Sequence, residues 1–225
     1  INISLDDIKK IKDELSLCLG YFDGLHLGHL ELIKRALKSK YHSAVLTLEF
    51  SSDIGLKNKK NILTIEDKKN ILERLGVEYL IVLKFTEEIK HLSSDDFVEE
   101  LLIKLNPKEL IVGKDYSFGY QAQGNNELLA KLSRGRYQVV EVKEILDGEK
   151  KISTREIIKY IENGEIDHAN SLLSRFYVIR GEVEKGFHVG SVSLYPTANV
   201  EMGNYVIPRF GVYSVLVRVD DCYYM

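Results

Sequence analysis

The chain has 225 residues, room for one large domain or one and a half ordinary ones, and its 44% hydrophobic content can supply a buried core. With 31 basic against 34 acidic residues the formal charge is −3, which argues against nucleic-acid binding by bulk electrostatics and for a smaller ligand. No run approaches the roughly 18 consecutive apolar residues of a membrane span, and the opening "INISLDDIKKIKDEL" is charged and helix-like rather than a signal peptide, so a cytoplasmic protein without a membrane partner is expected.

From residue 16 to about residue 143, short apolar runs alternate with longer amphipathic stretches, the pattern of parallel strands joined by crossover helices. Strands are expected at 16–22, 43–49, 78–83, 109–112 and 137–143. Helical spacing of apolar residues marks 27–40, 64–76, 93–105 and 125–133. The stretch opening at Ser93 has acids in its first turn, and "LERLG" ends on a glycine suited to a C-terminal cap. The lysines of "GLKNKKNIL" (55–63) read as a solvated loop. The expected fold class is α/β, a doubly wound, Rossmann-like parallel sheet, and such sheets bind ligands beyond the carboxyl ends of their strands.

Two further helices are expected at 153–164 and 165–174. From Phe176 the pattern becomes strand, turn, strand, with "DD" at 220–221 as a hairpin candidate. Three or so strands within about 50 residues leave unpaired edges, so this unit is either continued by further strands or packed on the first domain. The expected division is therefore 1–164, a connecting helix 165–175, and a partial β domain 176–225. Cys18 and Cys222 form no CxxC pair, and both are expected to be reduced and buried.

The carboxyl end of the first strand runs into "GYFDGLHLGH" (20–29). Gly20, Gly24 and Gly28 flank a turn in which the backbone can adopt unusual dihedrals and approach a ligand closely. A helix opening near Leu27 directs unpaired N–H groups and its positive dipole end at the same place, which favours an anion. His26 and His29, about one turn apart, can face one pocket and donate hydrogen bonds to oxygens whose charge grows in a transition state. Three other readings stay open on these residues alone: helix-surface histidines, a zinc site lacking a nearby third ligand, and an ordinary Asp23–Gly24 turn.

The string "GYFDGLHLGH" resembles the GxFDGxHxGH motif of the prokaryotic bifunctional riboflavin kinase/FMN adenylyltransferase, or FAD synthetase, family within the nucleotidyltransferase superfamily. The resemblance continues in order through "LTLEF" (46–50), residues 63–102, "IVGKDYSFG" (111–119), "ISTREI" (152–157) and "YPTAN" (195–199). It implies a two-step pathway in which a kinase module phosphorylates riboflavin with ATP and Mg²⁺ and the N-terminal module transfers AMP from ATP to FMN. Carried across, His26 and His29 contact the ATP phosphates, and Gly20, Phe22, Asp23, Gly24 and Gly28 shape their pocket. Ser153, Thr154 and Arg155 cover the triphosphate, and Asp115 and Phe118 line the nucleotide and flavin side. Gly186 and Gly190 belong to the kinase's glycine loop, and Thr197 and Asn199 resemble its Mg²⁺ and phosphate ligands, oxygen donors that suit a hard cation.

The chain departs from the family pattern at several points. "LTLEFSS" stands for LTFEPHP, and Ile157 stands where ISTxxR has its arginine, leaving Arg155 as a substitute. "FGYQAQGN" lacks the usual basic and acidic residues, and Ser191 and Leu194 replace an arginine and a glycine of the kinase loop. A kinase module that is incomplete or degenerate is therefore expected. The alternative to an enzyme is a weakly catalytic paralogue that binds flavin or nucleotide as a sensor or carrier.

Overall fold

The computed structural model describes residues 2–3, 11–50, 60–184, 198–220 and 222–225. The run "LSLCL" forms β2 (Leu15–Leu19), every residue of which is buried. A strand with no polar face suits the middle of a parallel sheet covered on both sides, and β2 lies between β3 (His42–Phe50) and β5 (Pro107–Gly113). Outward from these follow β4 (Tyr79–Phe85), β1 (Asn2–Ile3) and, on the other side, β6 (Gln138–Val142), giving the order β1-β4-β3-β2-β5-β6. All five pairings are parallel, with Leu17 opposite both Ala44 and Leu110. Chain order reverses at β2 and β5, and the crevice at such a switch point is where ligands of these sheets sit.

The period-two alternation of strands divides the core in two. Leu15, Leu17 and Leu19 point to one face with Leu46, Leu83 and Leu101, whereas Cys18 and Val45 point to the other with Ile33, Ile111, Ile157 and Leu172. The crossovers are α1 (Leu27–Leu37), α2 (Ile65–Arg74), α3 (Glu87–His91) with the helical stretch after it, and α5 (Asn126–Leu132). Helix α2 starts where the sequence supplies a capping box: Thr64 accepts from the Asp67 N–H, and the Asp67 carboxylate accepts from the Thr64 N–H. Helix α6 (Thr154–Asn163) is capped by Ser153 and ends on Gly164 at φ 82, and α7 (Ile166–Leu173) packs beside it.

Several expectations change. The stretch expected as one helix over 93–105 is α4 (Ser94–Asp96), a π-helical run Phe97–Leu102 and a 3₁₀ turn Ile103–Leu105. The wider turn buries Phe97, Val98, Leu101 and Leu102 together against the sheet, and Asn106 then reverses the chain at φ 51. In the helix-like opening, Asn2–Ile3 instead form an edge strand on β4, and residues 4–10 lie outside the described residues. Most of the lysine run 55–63 lies outside them too. Cys18 is buried as expected, but Cys222 is exposed, because it sits on the short two-stranded ribbon of β11 (Val217–Val219) and β12 (Cys222–Tyr224), which covers neither face.

Between that ribbon's strands Asp220, the first residue of the "DD" pair, stands at φ 51, and the second lies outside the described residues. A second antiparallel pair joins β9 (Val183–Glu184) and β10 (Asn199–Val200); a further hairpin, β7 (Leu146–Asp147) with β8 (Lys150–Lys151), precedes α6. The C-terminal segment docks on the first region along a strip beside α2, among other contacts. Asn61 donates to Asn204 O and accepts from the Val206 N–H, while the Tyr205 hydroxyl reaches the Asp67 carboxylate.

Candidate active site

A cleft of about 920 Å³ opens at the carboxyl ends of β2 and β5. Its floor is Leu46, Leu48, Phe85 and Phe97, and Phe118 stacks on Tyr116 with ring centroids 5.9 Å apart. At one wall the turn after β2 runs through Phe22 and Leu25 at φ 51 and 44, with Gly24 at φ 87 between them. Non-glycine residues in this region carry strain of about 1–3 kcal/mol each, held here by the burial of both side chains and by hydrogen bonds to the turn.

His26 is the N-cap position of α1, yet its side chain caps nothing. Its ring stacks on that of His29, with centroids 3.7 Å apart and planes at 21°, and Phe22 packs on His29 from the other side at 5.1 Å. The Nδ1 atoms of both histidines are buried with no hydrogen-bond partner. Burial, and then the charges of Lys151 and Arg175, lower the pKa of His26 to about 4. Burial and then neighbouring His26 and Lys68 hold that of His29 well below its ordinary value. Both imidazoles are thus neutral at pH 7, each with one N–H donor and one acceptor nitrogen. A Cβ on Gly28 would stand 3.1 Å from His26 Cε1, so the glycine gives the imidazole its place.

The expected residues divide between the wall and its backing. Gly20, Phe22, His26, Gly28, His29, Asp115, Phe118, Ser153 and Thr154 all line the cleft. Asp23 lies behind the turn: its Oδ1 accepts from the Ile62 and Leu63 N–H groups at 2.9 and 3.1 Å, and its carbonyl accepts from Thr154 Oγ1 at 2.8 Å. Gly24 packs against Ile62. Arg155 does not line the cleft but an adjoining depression that shares Tyr21 and Thr154 with it, because α6 presents Ser153 and Thr154 to the cleft and rotates the next residue outward. Ile157 is fully buried in the core. Asn199 is exposed on β10 opposite Glu184; Gly186, Gly190 and Thr197 lie outside the described residues.

Three cations went unforeseen. Lys151 lines the cleft and pairs with Asp115 at 2.6 Å and Glu144 at 2.9 Å; burial lowers its pKa, but the two carboxylates outweigh that and raise it. Lys68 is almost wholly buried under the turn, with Nζ 2.9 Å from Tyr21 O and 3.1 Å from Thr47 Oγ1. Arg175 donates to the carbonyls of Gly24, Leu25 and Leu173. Lys151 could have been suspected from its place just before "IST"; neither Lys68 nor Arg175 sits in a local pattern that marks it. Among the described residues no group of three or more His, Cys, Asp or Glu side chains is placed to hold a metal ion. Nor is any helix among them long and apolar enough to cross a membrane.

Residues 8–156 match the family model described as FAD synthetase, and residues 173–225 match the one described as riboflavin kinase. The bifunctional riboflavin kinase/FMN adenylyltransferase of Listeria monocytogenes is 35% identical, over 95% of this chain and 69% of its own. The Bacillus subtilis protein of the same name is 34% identical, over 95% and 70%. A crystal structure described as a macrolide-efflux protein from Streptococcus pneumoniae superposes with a TM-score of 0.87 at 30% identity, over all of this chain and 77% of that one. A pantoate-beta-alanine ligase from Francisella tularensis, at TM-score 0.51 and 18% identity over 77% of this chain and 78% of its own, shares the fold.

Proposed function

This chain belongs to the bifunctional riboflavin kinase/FMN adenylyltransferase family, and on that premise we propose that its cleft transfers AMP from ATP to FMN, forming FAD and releasing pyrophosphate. The observation that carries this reading is the stacked pair of neutral histidines, with unpartnered Nδ1 atoms, on a helix N-terminus beside an apolar, aromatic floor. A phosphate oxygen of FMN attacks the α-phosphorus of ATP; the new P–O bond forms as the bond to the pyrophosphate oxygen breaks. Little covalent work falls to the protein, so its contribution is alignment and charge neutralisation. The first-turn amides of α1 and α6, the imidazole N–H groups and Lys151 supply donors and positive charge for the triphosphate, and the floor takes the flavin ring.

Mg²⁺ enters this reading as part of the ATP substrate, held by phosphate oxygens and water, in keeping with the lack, among the described residues, of a cluster of three or more His, Cys, Asp or Glu side chains placed to ligate it. For the C-terminal region the reading is phosphorylation of riboflavin by ATP, with Thr197 and Asn199 as oxygen donors to Mg²⁺ and Gly186 and Gly190 in the phosphate loop. Both reactions take small molecules as partners, in the cytoplasm.

The test is FAD and pyrophosphate formation from ATP and FMN with Mg²⁺ by the purified full-length protein; no FAD overturns the reading. His29→Ala is expected to lower kcat about 100-fold while changing FMN affinity less than about threefold, because its contact strengthens in the transition state. One observation favours a second reading, a flavin or nucleotide sensor: Ile157 is buried in the core and Arg155 lines the adjoining depression, so α6 presents no arginine in the wall of the cleft itself. Micromolar binding of FMN and ATP by calorimetry, without turnover, would select it.

A further inference from the structure

Arg175 lies just past the C-terminal end of α7, inside the region that matches the riboflavin kinase model, and lines neither cleft. Its guanidinium nevertheless reaches back about 150 positions to the histidine turn. Nη1 donates to Leu25 O at 3.2 Å and to Leu173 O at 2.9 Å, and Nη2 donates to Gly24 O. The Gly24 and Leu25 carbonyls belong to the two residues immediately before His26, both at positive φ, and Leu25 is the one whose side chain makes that conformation strained. A planar fork of fixed donors suits two adjacent carbonyls, whereas an ammonium is a point charge that cannot span them as a rigid pair.

We propose that Arg175 is a positioning residue for the adenylyl-transfer site: by holding the Gly24 and Leu25 carbonyls it fixes the direction in which His26, and through the stacked rings His29, face the cleft. The kinase-matching region thereby completes the cleft of the first region without touching its ligands. The surroundings agree. The turn is gripped on one flank by Arg175 and on the other by Lys68 through Tyr21 O, while Asp23 ties it to residues 62–63. The His26 side chain makes no cap bond, so beyond its stack on His29 its orientation rests on the backbone beneath. This inference rests on the adenylyl-transfer reading for its catalytic consequence, but the placement of the imidazoles does not depend on that reading.

Three variants, Arg175→Met, Arg175→Lys and Arg175→Ala, are compared with the native full chain by two readouts. In the first, imidazole ¹⁵N and ¹H signals of His26 and His29 are followed by NMR. Both sets are expected to move in Arg175→Met, and signals that stay in place overturn the proposal even if the native protein makes no FAD. In the second, steady-state FAD formation is expected to show kcat lowered about 10- to 100-fold in the Met and Ala variants with the KM for ATP within about threefold, and partial recovery in the Lys variant. Native turnover in Arg175→Met overturns the proposal, as does a rise in KM at unchanged kcat, which would mark direct ligand binding. If the Met and Ala variants fail to fold, melting curves identify that, and the folded Lys variant still decides through its kcat deficit and its histidine signals. An absence of FAD in the native protein falsifies the adenylyl-transfer reading alone.

Discussion

His26 shows how a side chain can be prepared by exclusion. Its pKa of about 4, against 6.5 for an unperturbed imidazole, means that the fold accepts only the neutral ring. Between these two values the unfolded chain takes up the proton before the folded one, so stability is complete above pH 6.5 and declines as pH falls toward 4. Urea denaturation at pH 5 is expected to give a free energy about 2 kcal/mol lower than at pH 7 through this group, a difference that His26→Asn should remove. A triphosphate anion placed beside the ring acts in the opposite sense and raises its pKa. ATP binding near pH 5 should therefore take up protons, measurable by calorimetry in two buffers of different ionisation enthalpy. Gly28→Ala probes the same residue sterically. The added methyl meets the His26 ring at 3.1–3.2 Å, so FAD formation should fall about 10-fold with a stability change under about 1 kcal/mol.

The elements differ in how far their own sequence determines them. The central strands and α1, α2, α5, α6 and α7 could be drawn from periodicity and caps because their local signals agree with their packing: "LSLCL" is apolar throughout and is buried on both faces. The 93–105 stretch could not, since helical spacing alone does not distinguish an α from a π turn; burial of four neighbouring apolar side chains decides it. The loop 117–124 was legible only as a motif. Phe118 and Gly124 exchange backbone hydrogen bonds at 3.1 and 2.9 Å, and Gly119, at φ 74, would place a Cβ 2.6 Å from Ser94 Oγ. Gly119→Ala must therefore push the loop off the start of α4. It is expected to lower stability by about 1–3 kcal/mol and to weaken FMN binding more than ATP binding, read by thermal melting and by fluorescence titration of FMN. Within the site, the histidine turn could be found by eye because its residues are consecutive. Its backing by Lys68 and Arg175, and the bond that the Tyr21 hydroxyl donates to Asn61 Oδ1 at 2.6 Å, could not, since those residues meet it only through the tertiary fold.

At the scale of the molecule, residues 61–64 are the joint between the two regions. Ile62 and Leu63 donate to Asp23 on the cleft side, Asn61 pairs with Asn204 and Val206 on the other, and Thr64 opens the capping box whose Asp67 accepts from Tyr205 and pairs with Arg180 at 2.7 Å. Tyr205→Phe removes one hydrogen bond to a buried carboxylate. Amide exchange over residues 202–206 should accelerate about tenfold, and exchange within β2 should stay unchanged.

The same wiring sets an order of events during synthesis. A ribosome delivers the chain from its N-terminus, so the turn around Gly24 emerges about 150 residues ahead of the arginine that grips it, and the Asn61 strip emerges well before Asn204 and Val206. The six strands of the sheet and the crossover helices between them are all made once residue 142 is added; the arginine that holds the histidine turn is not. If Arg175 has the positioning role proposed above, a nascent chain halted between these points carries the six strands with the histidine turn still loose, and the cleft is completed only as translation passes into the second region.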